Sequence, residues 1–308
     1  MVDVDAAQLQ FNSGGLWALN AVIGLIMFGV ALDLRTEDFA RVGRLPRAPL
    51  AGLLAQFLVL PAFTFALTRL LDPAPSIALG MILIAACPGG NLSNFLTHFA
   101  GGNAALSVSM SAVSTVAAIV MTPLNVAVWG SLHADTAAIL TSIRLDPLQM
   151  LLVVFLILGL PMVAGMSVAR WRPRLAARLH GPFKYFSVAF FLLFVGFVFW
   201  QNFDVFTVYI GAVIGAVVLH NALALSSGYG AARLLRLEDR DRRAVTLEVG
   251  IQNSALGLTL IFSFFGGLGG MALVAGTWGI WHIIAGLTIA SLWSRRPAGV
   301  PLAAPETA

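Results

Sequence analysis

The sequence predicts an all-α polytopic membrane protein with nine transmembrane helices. Two observations carry that prediction. Of the 308 residues, 59% are hydrophobic and 10% are charged, whereas soluble domains carry about 25% charged residues. The apolar residues also fall into runs of membrane length. Such a chain cannot hide its apolar surface in a soluble core, so most of it must face lipid or other lipid-embedded helices. A third observation, the placement of the basic residues, orients the spans.

Apolar runs of about 20 residues cross the hydrocarbon as helices. Nine are present: 14–33, 48–70, 76–99, 104–130, 147–169, 182–200, 204–232, 244–265 and 268–293. The first is read as a retained span. Asp3 and Asp5 precede it and no Lys or Arg occurs before Arg35, whereas a signal peptide starts with positive charge. The connections are too short for a soluble domain, so 1–308 forms one membrane domain, with 294–308 a disordered cytoplasmic tail. Cys87 is the only cysteine, which excludes an internal disulfide and a cysteine-based zinc cage.

Basic residues follow alternate spans. Arg35, Arg41, Arg44 and Arg47 follow the first; Arg170, Arg172, Arg174, Arg178 and Lys184 the fifth; Arg233, Arg236, Arg240, Arg242 and Arg243 the seventh; Arg295 and Arg296 lie in the tail. The opposite side holds only Arg69 and Arg144. Basic residues mark the cytoplasmic side. This places the protein in the inner (plasma) membrane with its N-terminus outside and C-terminus inside. It also explains the pI near 10 without a nucleic-acid partner, and no obligatory protein partner is implied.

Two spans carry interruptions. In "ACPGGNLSN", Pro88 lacks a backbone donor and clashes with the preceding turn, and Gly89 and Gly90 add freedom. The helix should break there and restart near Asn91, Leu92 and Ser93. In "LEVGIQNS", Gly250 sits among Glu248, Gln252, Asn253 and Ser254 without a proline. Each interruption precedes a glycine turn and a long helix, and the two spans run in opposite directions. That is the pattern of an inverted repeat whose broken helices meet at a transport site. With nine spans one half lacks a helix, most simply at the N-terminus.

Glu248 is the only acidic residue deep in a span, about 8 Å beyond Arg243 at 1.5 Å per residue. An ionisable group at that depth is a functional candidate; a structural carboxylate, or one reaching the cytoplasm, is the alternative. A hard cation such as Na⁺ would neutralise it. Oxygen donors stand at both breaks and on the flanking spans: Ser93 and Asn94, Ser107 and Ser111 on one helical face, and Gln56. The restarted half-helices present free N–H groups and partial positive charge to an anion. The local design therefore suggests cotransport of Na⁺ with an organic anion.

These residues resemble the bile acid:sodium symporter family, through "CPGGNLSN", "GNAALSVSMSAVST", "LEVGIQNS" and "WHIIAG" in collinear order. The resemblance implies a panel domain beside a core domain with two crossing, unwound helices, and two transported Na⁺ ions per organic anion. It implies one ion site at Ser93, Asn94, Ser107, Ser111 and Glu248, and a second at Gln56, Glu248, Val249, Ile251 and Gln252, with Val249 and Ile251 lending carbonyls. Asn91, Leu92, Asn253, Ser254 and His282 form the implied substrate set. Ser111 and Asn91 stand where relatives often have threonine; Asn91 keeps a side chain able to cap the half-helix. The nine-helix arrangement agrees with the arginine pattern.

The expected activity is import of a bile acid or a small carboxylate such as pantoate or a 2-keto acid. An efflux carrier for arsenite or a metabolite, using Cys87, is an alternative. An intramembrane enzyme pairing Glu248 with His282, or recruiting His98 or His220, is another. The chain has no HExxH, GxSxG or paired intramembrane aspartates to support the enzyme.

Overall fold

Helices account for nearly all of the described chain. The structure, a computed structural model, describes residues 4, 13–44, 47–143, 146–201 and 203–296. Asp3, Asp5, Arg144 and residues 297–308 of the expected tail lie outside the described residues. In order the helices are α1 (Ser13–Ala31), α2 (Thr36–Arg44), α3 (Arg47–Leu71), α4 (Pro75–Ala86), α5 (Leu92–Phe99), α6 (Ala104–Ser131), α7 (Ala134–Ser142), α8 (Pro147–Trp171), α9 (Pro173–Gln201), α10 (Phe203–Leu234), α11 (Asp239–Gly250), α12 (Ser254–Phe264) and α13 (Gly269–Ser294).

Five of the described stretches are long and apolar enough to cross a bilayer alone: Arg47–Leu71, Ala104–Ser131, Pro147–Trp171, Val213–Leu234 and Gly269–Ser294. Shorter apolar helices occupy Asn20–Ala31, Pro75–Ala86 and Ser254–Phe264. Leu58, Phe63, Val120, Leu156 and Val163 stand exposed on their surfaces. A row of bare hydrophobic side chains fits lipid, not water. The fold is that of a polytopic helical membrane protein.

Several boundaries differ from the sequence reading. Span 76–99 is two helices, α4 and α5, and span 244–265 is α11 and α12. Helix α9 starts at Pro173, not near 182, because proline is pre-set for a first helical turn; Pro182 is accommodated inside it. Arg174 and Arg178 therefore lie on helix, as do Arg233, Arg240, Arg242 and Arg243, rather than in loops. The short helices α2 and α7, of nine residues each, contain no apolar run of membrane length.

Prolines also shape α3 and α8. Residues Ala55–Val59 and Phe155–Gly159 form π-helical turns just before Pro61 and Pro161. The Leu60 N–H reaches back five residues to the Ala55 carbonyl. A proline ring collides with the carbonyl four residues earlier, and the wider turn relieves this. The bulge carries Gln56, which is buried.

Helices α1, α8 and α9 pack on one another, while α4, α6, α10, α11 and α13 pack around the two breaks. The main apolar core runs through the second group and takes in Ile23, Ile26 and Met27 of α1 and Met150, Val154, Ile157 and Leu158 of α8. A separate small cluster of Ala31, Leu34, Ala112 and Met162 lies between α1, α6 and α8.

Candidate functional site

The two breaks meet. Gly89 and Gln252 form an antiparallel bridge. Gly90 N–H donates to the Ile251 carbonyl at 2.6 Å and Asn253 N–H to the Pro88 carbonyl at 2.9 Å. Backbone released from a helix must find partners inside the protein, and the account closes with side chains. Thr122 Oγ1 donates to the Ala86 carbonyl at 2.7 Å, and Gln56 Nε2 to that of Cys87 at 2.7 Å. Asn221 Nδ2 donates to the Gly250 carbonyl at 2.8 Å, and Gln252 Nε2 to that of Val249 at 2.7 Å. Helix α11 thus ends without a proline because polar side chains replace the lost helical donors. Asn253 Oδ1 then caps α12, accepting from Leu256 N–H at 3.1 Å.

Glu248 lies in the last turn of α11, 2% exposed. Its carboxylate accepts from Ser93 Oγ at 2.5 Å and from Ser111 Oγ at 2.8 and 2.9 Å. Ser107 and Ser114 Oγ stand 3.5 Å away. Asn94 Oδ1 lies 2.8 Å from Ser107 Oγ and 3.2 Å from Ser111 Oγ, a competing acceptor for the single proton of each hydroxyl. Removing a carboxylate from water costs several kcal/mol. Bonds to a charged group return about 1.5–3 kcal/mol each, so two short ones and two long ones offset much of that cost. They supply no counter-charge. The chemistry left over is attraction for a cation.

The donor set says which cation. Hydroxyls, one amide oxygen and one carboxylate are hard ligands, suited to an s-block ion. Among the described residues no group of three His, Cys, Asp or Glu is placed to hold a metal. The hydroxyls donate to Glu248 here; turned about Cβ–Oγ, their lone pairs face a cation instead. All five residues of the first implied ion site, Ser93, Asn94, Ser107, Ser111 and Glu248, are brought together.

The second implied set is also gathered, with its oxygens engaged. Gln56 Nε2 donates to Gln252 Oε1 at 2.8 Å, and Gln252 Nε2 stands 3.3 Å from Gln56 Oε1. The Val249 carbonyl accepts from Gln252, and the Ile251 carbonyl from Gly90. To present oxygens to an ion, Gln252 must rotate its amide away from Val249.

The implied substrate residues are less united. Asn253 is half-buried and Ser254 buried; Leu92 is half-buried and Asn91 exposed. Asn91 does not cap α5, contrary to the sequence reading: its backbone is already helical (φ −58°, ψ −21°) and its side chain makes no cap bond. A cap needs an extended backbone to bring the side chain over the free amides. The Asn91 side chain is instead free to face a crevice lined by Met27, Val30, Ser111, Thr115, Leu158 and Met162, with a volume of about 10 Å³, room for one water. His282 is 5% exposed, its ring 6.5 Å from that of Trp278, and its Nδ1 has no hydrogen-bond partner among the described residues. Glu248 meets hydroxyls and not His282. The Cys87 thiol is fully buried.

Sequence reading missed Ser114, Thr97, Thr122 and Asn221, and took Gly89 only as added freedom. Ser114 continues the Ser107–Ser111 face one turn on, a spacing visible in the sequence. Thr97, whose hydroxyl stands 3.3 Å from that of Ser107, and Asn221, a lone amide in an apolar span, gave weaker signals. Gly89 gave none: its role is to leave room for Glu248.

A helical bundle in which two broken helices meet over a buried, hydroxyl-ringed carboxylate has the architecture of a membrane transporter. Comparison with known proteins assigns the family. The pattern of the sodium bile acid symporter family matches residues 21–208. The uncharacterised sodium-dependent transporter YocS of Bacillus subtilis is 32% identical over 276 residues, covering 89% of this chain and 82% of its own. The probable sodium/metabolite cotransporter BASS1 of Arabidopsis thaliana chloroplasts is 31% identical over 89% of this chain and 66% of its own. The human ileal sodium/bile acid cotransporter is 28% identical over 79% of this chain and 68% of its own. The chain belongs to the sodium bile acid symporter family.

Proposed function

We propose that the protein imports an organic anion together with two Na⁺ ions by alternating access across the plasma membrane. The observation that carries this reading is the Glu248 carboxylate, buried where the two breaks meet and ringed by Ser93, Ser107, Ser111 and Ser114. One Na⁺ binds there with Asn94. The other binds between Gln56, Gln252, Glu248 and the carbonyls of Val249 and Ile251. The antiparallel pairing of the breaks supports an inverted repeat of nine spans, 1–308 acting as one transport domain, with the N-terminus outside and the C-terminus in the cytoplasm. The packing of α1, α8 and α9 on one another, against α6 and α12 of the helices around the breaks, supports a panel beside a core domain.

The crevice at Asn91 supports an amphipathic anion. Its walls are mostly apolar, with polar groups only at Asn91, Ser111 and Thr115. The charged head would meet the partial positive charge at the starts of α5 and α12, beside Leu92, Asn253 and Ser254. The body would lie along Met27, Leu158 and Met162. A bile acid, pantoate or a 2-keto acid each has this character. At about 10 Å³ the crevice is closed around the site, so α1 and α8 must move off the core to admit such a molecule.

The test is thermal stability of purified protein titrated with bile salts and small carboxylates, with and without Na⁺. A ligand bound only by the folded state raises the midpoint in proportion to ln(1 + [L]/Kd). A carboxylate that stabilises only with Na⁺ identifies the substrate class; Na⁺-independent stabilisation by every ligand overturns the coupling.

Two substitutions refine the reading. Ser111→Ala raises the Na⁺ concentration for half-maximal uptake roughly tenfold, the equivalent of one charge-assisted hydrogen bond of about 1.4 kcal/mol. Ser114→Ala, whose hydroxyl stands 3.5 Å from the carboxylate and bonds the Ser111 carbonyl at 3.1 Å, raises it less. Asn91→Thr shifts the preference among carboxylates and leaves Na⁺ half-saturation unchanged; equal loss of both contradicts its place on the anion.

A further inference from the structure

The charge pattern reads Arg243 as one of many cytoplasmic arginines. Its surroundings are different from theirs: it is 4% exposed. Its Nη1 donates to the Ala100 carbonyl at 2.6 Å and to the Trp293 carbonyl at 3.1 Å. Its Nη2 donates to the Arg296 carbonyl at 3.0 Å and pairs with Asp239 at 2.7 Å. The guanidinium also lies 5.8 Å from the Trp293 ring centre. A buried cation needs such a set to offset its lost hydration.

The partners show what the arrangement does. Ala100 closes α5, and Trp293 and Arg296 close α13. Helix C-termini carry free carbonyls and partial negative charge, and one planar fork on α11 binds two such ends at once. Helix α5 has eight residues, too few to hold its shape alone. It carries Ser93, Asn94 and Thr97. Its start is held by the Gly90–Ile251 bond, and its far end by Arg243. Glu248 lies five residues after Arg243, about 7.5 Å along the same helix. The fork therefore fixes the register of α5 against α11, and with it the distance from Ser93 to Glu248.

The neighbouring contacts leave little slack. Asn103 N–H donates to the Arg240 carbonyl at 3.0 Å and Asn103 Nδ2 to Asp241 at 2.8 Å, tying the start of α6 to the first turn of α11. A Cβ at Gly102 would lie 3.2 Å from Arg243 Cβ and from the Arg240 carbonyl.

We propose that Arg243 is a positioning residue for the sodium site: it sets Na⁺ affinity by pinning the end of α5 to α11 without touching ion or substrate. This rests on the reading of Glu248 and its serines as that site. The measurement is Na⁺-dependent substrate uptake into proteoliposomes, resolved into Na⁺ half-saturation and maximal rate, for Arg243→Gln, Arg243→Lys, Asp239→Asn and Glu248→Gln. Arg243→Gln is expected to raise Na⁺ half-saturation roughly tenfold, as loss of an outer support to a metal site does, with maximal rate at saturating Na⁺ retained. Lysine keeps the charge without the fork and gives a smaller rise in the same direction. Asp239→Asn, at a side chain that is 38% exposed, leaves half-saturation near that of the parent.

Unshifted half-saturation in Arg243→Gln with a lowered maximal rate overturns the proposal, since that is the mark of lost folded protein. An equal shift in Asp239→Asn also overturns it, because the ion pair would then be the cause. If the glutamine variant does not accumulate, an unshifted lysine variant decides against it. Glu248→Gln separates the two readings: if it retains Na⁺ dependence the site itself is misassigned, whereas if it loses that dependence while Arg243 variants behave as the parent, only the positioning role fails.

Discussion

Glu248→Gln abolishes sodium-driven uptake and leaves the folded chain in the membrane. Glutamine has nearly the same shape, and its one remaining oxygen can still accept from Ser111 or Ser93. It loses the charge and turns a donating NH₂ toward hydroxyls that were donating to the carboxylate. A cation site that keeps its hydroxyls but loses its only anion has nothing to repay dehydration of the ion. The expected loss in Na⁺ affinity is at least about 100-fold, the upper end of what supports to a metal site command. Uptake in proteoliposomes with and without a Na⁺ gradient reads it directly. Persistence of gradient-driven uptake in this variant would remove the mechanism.

Gly89→Ala produces a loss of similar size by a different route. A Cβ there would lie 2.7 Å from Glu248 Cδ and 3.1 Å from the Glu248 carbonyl. Neither partner has room to yield: the backbone is held by the bridge to Gln252, and the carboxylate by its serines. Overpacking of this kind costs about 1–3 kcal/mol of stability, and here the atom displaced is the charged group itself. Transport should fall to background while a lowered but cooperative melting transition survives. Gly230→Ala is the control, because no atom lies within 4 Å of the added methyl; in mid-helix it is neutral or stabilises by about 0.5–1 kcal/mol. If Gly89→Ala transports like Gly230→Ala, the close approach of break and carboxylate has no functional weight.

Both expectations rest on residues of unequal legibility. Glu248 was visible because a lone carboxylate in an apolar span violates a strong rule. The first break was visible in Pro88, and Ser107 and Ser111 in their shared face. The second break was weaker, since no residue there forbids a helix. It forms because Asn221, from α10, takes the Gly250 carbonyl, and a donor 29 residues away leaves no local trace. Gly89 read only as added freedom beside a proline, although its hydrogen is what lets the carboxylate approach. Asn91 was read as a cap by residue type, but its backbone had already turned helical. Arg243 was assigned to topology by its charge, yet the structure buries it among helix ends.

The sequence by itself determined that the chain lives in a membrane, where its apolar runs lie, and which spans hold polar groups too costly to be incidental. Those properties follow from transfer of each residue from water to hydrocarbon, which is read residue by residue along the chain. Only the tertiary structure decided what those polar groups meet: Ser93 with Glu248 across 155 positions, and Gln56 with Gln252 across 196. A hydrogen bond in a low-dielectric interior depends on tenths of an ångström and on which helices pack together. Neither quantity is written in the order of the residues.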